Sequence, residues 1–144
     1  VWVAEEDWGR EDAQVISRKK QYSLLEIKDY LLMQHISDKC AKFKPIYILY
    51  FYSNSGDCPD CGKMGDVFTY LRQTYHGLRV YSFDYHLNLS ALRTLITMRK
   101  INEEKGLPAF AVNNRAPVYG FKTLQEIQKL IPELKTLATS TSVE

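Results

Sequence analysis

Two cysteines separated by two residues, Cys58-Pro59-Asp60-Cys61, carry the clearest chemistry in this sequence. A thiolate attacks disulfides, and a second thiol one helical turn away can attack the mixed disulfide that the first one forms. The flanking residues decide whether the pair is placed to do so. Pro45 introduces a solid apolar run, Ile46 to Tyr52, rich in β-branched and aromatic side chains, which reads as a strand buried on both faces. Ser53-Asn54-Ser55-Gly56-Asp57 is a polar turn. Beyond Cys61, the residues Met64, Val67, Phe68, Leu71 and Tyr75 recur at helical spacing, with Gly77 placed to end the helix. The pair therefore falls where a central strand hands over to a helix.

In that setting Cys58 is expected in the first helical turn. Unpaired backbone N–H groups and the positive end of the helix dipole there favour its thiolate. Pro59 suits the first helical position because it has no N–H to leave unpaired. Cys61, one turn on, is the expected resolving thiol. Asp57 and Asp60 place two carboxylates near Cys58 that oppose the dipole, so its pKa depression is expected to be partly cancelled. A less depressed thiol is a poorer leaving group, which points to a moderately reducing or isomerising couple rather than a strong oxidant.

The remaining elements must hold this joint in place. Val1 to Gln21 reads as an irregular lead with Trp2 and Trp8 and an edge strand around Gln14 to Ser17. Ser23 with Glu26 has the form of a capping box, opening a helix from about Leu24 to Lys42. Leu25, Leu32, Ile36 and Cys40 share its expected core face, with Cys40 as a small core residue. Leu78 to Tyr85 alternates as a strand does. Asn88 or Ser90 is placed to cap a helix carrying Leu92, Leu95 and Ile96. Leu107 to Val112 and Val118 to Phe121 flank an Asn113-Asn114 turn and read as a hairpin. Thr123 with Glu126 forms a second capping box ahead of Ile127, Leu130 and Ile131, and Pro132 should kink or restart that helix. A helical connection between the first two central strands makes them parallel with a right-handed crossover, while the hairpin is antiparallel. The expected fold is an α/β mixed sheet with helices on both faces. It spans residues 22–137, between the lead of residues 1–21 and a flexible tail of residues 138–144.

With the Cys-x-x-Cys after a buried strand, Leu107-Pro108 opening the hairpin about fifty residues on, and Gly120 before the last helix, the chain resembles the thioredoxin superfamily from about Tyr22 to Leu137. The resemblance implies thiol–disulfide oxidoreductase activity on protein substrates, with no cofactor beyond an external redox partner. It implies that Pro108 follows a cis peptide bond and lies against the cysteines, and that Leu107 offers its backbone to a bound peptide. Thioredoxin itself buries an acidic residue in the strand before its cysteines as a proton relay. Here Tyr50 and Tyr52 occupy the candidate positions. Proton handling at Cys61 is then left to water, Tyr52, Asp57 or Lys63.

With 144 residues, 45% of them hydrophobic, the chain can bury one sizeable core, and its formal charge of +2 gives no reason to expect a nucleic acid. No apolar run reaches bilayer length. Val1 in place of methionine reads as a trimmed or mature form, and the irregular lead points to an exported or membrane-tethered domain facing an oxidising compartment, expected as a monomer. Two other readings remain open. The cysteine pair could hold a metal with help from Cys40, His35, His76 or His86, although there is no second close-spaced pair. Alternatively the domain is a non-catalytic module that binds peptides, its surface extended by Tyr47, Tyr85 and Tyr119.

Overall fold

Every residue of Ile46–Tyr52, the strand β1, is buried. The computed structural model that shows this describes residues 13–40, 42 and 45–137. The expectations for Trp2, Trp8 and the tail of residues 138–144 lie outside them. In chain order the elements are α1 (Ala13–Lys39), β1, α2 (Cys61–Thr74), β2 (Leu78–Asp84), α3 (Ser90–Met98), a 3-10 turn (Glu103–Lys105), β3 (Ala109–Val112), β4 (Val118–Tyr119), α4 (Leu124–Leu130) and a second 3-10 helix (Pro132–Thr136). The sheet order is β2-β1-β3-β4. β1 runs parallel to β2 from Ile46↔Leu78 to Tyr52↔Asp84, and antiparallel to β3 from Ile48↔Val112 to Phe51↔Ala109. β4 completes the hairpin.

The alternation of β1 divides the core in two. Ile46, Ile48, Tyr50 and Tyr52 pack with Cys61, Met64, Phe68 and Leu71 of α2 and Ile127 of α4. Tyr47, Leu49 and Phe51 pack with Ile27 and Tyr30 of α1 and Leu92, Leu95 and Ile96 of α3. This is the α/β mixed sheet, helices on both faces, that the sequence pattern implies. Tyr47 is therefore interior and not part of an exposed tyrosine surface, while Tyr85 and Tyr119 are half-buried.

α1 departs from the sequence reading in three ways. Residues 14–17 are helical, not an edge strand, because no glycine or proline interrupts the chain between Ala13 and Lys39. Ser23 and Glu26 therefore lie in mid-helix and form no cap. The buried face is Val15, Lys19, Ser23, Glu26, Ile27, Tyr30 and Met33, so Leu25, Leu32, Ile36 and Cys40 point outward. Polar anchors on β2 set that orientation. Lys19 Nζ donates to Asp84 at 2.8 Å, and Tyr81 and Arg79 both donate to Asp29, at 2.5 and 2.9 Å.

The other boundaries follow local chemistry. Thr123 and Glu126 make the reciprocal capping box expected of α4. Pro132 ends that helix and begins the 3-10 turn. Neither Asn88 nor Ser90 caps α3; Leu89 is its N-cap residue, with no side-chain bond. Asn113 takes a left-handed φ of 49° at the hairpin turn, and its side chain accepts from Tyr47 N at 2.9 Å.

Candidate functional site

The loop after β1 brings both sulfurs together. Cys58 and Cys61 are joined by a disulfide with their Cα atoms 5.5 Å apart. Cys61 is buried at 3% exposure, whereas Cys58 is partly open. The helix begins at Cys61, so Cys58 precedes it and is not in its first turn. Pro59 and Asp60 form the intervening turn, closed by a hydrogen bond from Cys61 N to Cys58 O at 3.3 Å. Asp60 is the N-cap residue of α2 without a side-chain cap, and its carbonyl accepts from Met64 N at 3.0 Å. Cys58 still lies just ahead of the helix end, where the dipole favours an anion.

Asp57 and Asp60 differ in their surroundings. Ser53 Oγ donates to Asp57 at 2.5 Å, and His86 Nε2 lies 3.6 Å from the other carboxylate oxygen. The Ser53 hydrogen bond, with help from His86, holds the Asp57 carboxyl below the usual range. A fixed negative charge thus stands one residue from Cys58. His86 also lies 3.6 Å from Glu103, and these three exposed side chains bring ligand atoms within 4.8 Å of one another. Among the described residues, neither bonded cysteine belongs to a cluster of three metal-donor side chains. Cys40, His35 and His76 are all exposed.

Behind Cys61 is a pocket of about 260 Å³ at the β2 edge of the sheet, lined by Tyr50, Tyr52, Cys61, Val80 and Ser82 on one side and Lys19, Ser23 and Glu26 of α1 on another. Tyr50 and Tyr52 do occupy the strand positions that the sequence indicates. The Tyr50 hydroxyl donates to Cys61 O at 2.5 Å, and burial pushes its pKa up. Tyr50 therefore holds the backbone of the helix start. Lys63 is exposed on α2 and does not line the pocket.

Glu26 is the residue that sequence reasoning missed. One of its carboxyl oxygens accepts weakly from Ser82 N at 3.4 Å, and the other is buried without a hydrogen-bond partner. Burial raises its pKa to about 8. A carboxyl three residues after a serine looks like a helix cap when read locally. Only the pairing of α1 with β2 brings it behind the cysteines.

The Leu107–Pro108 bond is cis. It immediately precedes β3, one residue past the Phe51–Ala109 pair, and so lies at the end of β1 that leads into the cysteine loop. Pro108 is buried and its carbonyl accepts from Gly120 N at 2.8 Å. Leu107 is half-buried against both cores.

No protein-family model matches the sequence, and no curated protein matches it. Among solved structures the chain is similar to chloroplastic thioredoxin z, at 16% identity and a TM-score of 0.50, over 72% of this chain and 88% of that one. The fold is thioredoxin-like. At this identity the likeness carries the architecture alone.

Proposed function

We propose that the chain is a thiol–disulfide oxidoreductase acting on protein substrates. The observation that carries this reading is the asymmetry of the bonded pair, with Cys58 partly open and Cys61 buried beneath it. In the reduced protein the Cys58 thiolate attacks a substrate disulfide. A Cys58–substrate bond forms, the substrate S–S bond breaks, and the departing thiolate takes a proton from solvent. Cys61 then loses its proton and attacks the Cys58 sulfur. The Cys58–Cys61 bond closes and the second substrate thiolate leaves. Two electrons pass to the substrate, and an external dithiol returns them.

Leu107, ahead of the cis bond, offers its backbone to an extended substrate segment, as in strand addition. Glu26 takes the place of the side chains expected from the sequence to handle the proton, Tyr52, Asp57 and Lys63. The fraction of Glu26 that is ionised near its pKa receives the Cys61 proton through water in the shared pocket, which offers the polar side chains of Lys19, Ser23, Tyr52 and Ser82 and is large enough to hold several molecules. A carboxyl with a pKa near 8 is matched to a thiol of ordinary pKa. The ionised Asp57 disfavours a second negative charge at Cys58, which supports a moderately reducing or isomerising couple.

Trapping tests the order of events. The Cys61→Ser protein should accumulate a mixed disulfide through Cys58 with a disulfide-containing substrate, seen as a shifted, dithiothreitol-sensitive band. With the exposed Cys40 changed to serine in both proteins, the Cys58→Ser protein should accumulate none, and equal trapping by both would reject the assignment.

A further inference from the structure

Of the nine large apolar side chains exposed among the described residues, six lie on α1: Tyr22, Leu24, Leu25, Leu31, Leu32 and Ile36. Isolated exposed leucines are ordinary, whereas a regular array marks a contact surface. At 100° per residue, Leu24 and Leu31 form one ridge, and Leu25, Leu32 and Ile36 form a second about 100° round the helix. Lys28, His35 and Lys39 run between the ridges, all exposed. Among the described residues none of the three has an ion-pair partner. The opposite face of α1 is already taken up by the sheet and α3.

The two lysines of the central row, Lys28 and Lys39, select the occupant. A second copy packed on this face by two-fold symmetry would set one cationic row against another. A lipid surface favours the reverse layout, with apolar side chains in the middle and cations at the flanks. A helix with carboxylates along its centre and apolar side chains on both sides fits ridge to groove and charge to charge. We propose that the outward face of α1 docks an acidic amphipathic helix of a partner protein. The surface is built from residues that take no part in the thiol chemistry, so the proposal stands independently of it.

The probe is a helix-forming peptide of about 21 residues, three heptads, with glutamate at the central positions and leucine on both flanks, compared with a twin carrying lysine for glutamate. Fluorescence anisotropy with the full chain should show the glutamate peptide binding at least about tenfold more tightly than its twin, and more weakly as salt rises. Leu25→Ser with Leu32→Ser should weaken binding at least about tenfold at an unchanged thermal midpoint, since both side chains are exposed. Lys28→Glu with Lys39→Glu should reverse the preference between the peptides. No binding, equal binding of the two peptides, or binding indifferent to the leucine changes would overturn the proposal. So would dimerisation of the wild-type chain, or its sedimentation with phosphatidylserine vesicles, if either is abolished by the leucine changes.

Discussion

At the scale of single residues, Glu26 carries the sharpest pH dependence. Its carboxyl ionises near 4.5 in the unfolded chain and at about 8 in the folded one, because burial penalises its charge. Between those values the folded state holds a proton that the unfolded chain has released. Stability should therefore fall as pH rises across that window, by on the order of 1 kcal/mol per pH unit, and level off above it. Glu26→Gln should remove the slope, as read from urea unfolding at a series of pH values between 5 and 9. An unchanged slope would mean that Glu26 is ionised throughout. Asp57 behaves in the opposite sense: its pKa is held low, so its charge persists beside Cys58 into acid. The cysteines and the two aspartates were legible in the sequence because their spacing is local. Glu26 was not, because its neighbour Ser82 is 56 positions away.

At the scale of elements, the orientation of α1 is fixed by polar side chains reaching β2 rather than by its leucines. Lys19 is nearly buried against Asp84, and removing one member of a buried ion pair strands the other. Lys19→Ala should therefore destabilise the fold by about 3 kcal/mol. Leu25→Ala, on the outward face, should stay within about 0.5 kcal/mol. Denaturant midpoints at neutral pH compare the two directly, and the reverse ranking would mean that the leucine face is the buried one. Hydrophobic periodicity misled here because α1 is apolar on both sides, and its inner side includes a lysine, a serine and a glutamate. The same periodicity served well for β1, whose residues are all interior, and for α2, whose inner face is Met64, Phe68 and Leu71. The start of α4 was legible for a different reason, since Thr123 and Glu126 bond within three residues.

At the scale of the whole molecule, the sheet order places the cysteine loop and the cis Leu107–Pro108 bond at the same end of β1. The parallel pairing of β1 with β2 and the hairpin were readable from connection lengths and turn residues. The pocket behind Cys61 was not, because it forms between elements far apart in the chain. The charge retained on Asp57 bears on the poise of the couple. Equilibration with glutathione should give a reduction potential more negative than about −180 mV, and a value near −120 mV would reject the moderate poise. Whether the cysteines exchange electrons with a protein at all is tested by reduction of insulin with dithiothreitol as donor, followed by turbidity. The wild-type chain should accelerate precipitation well above the uncatalysed rate and Cys58→Ser should not; equal rates for the two, both at the uncatalysed level, would contradict the redox assignment.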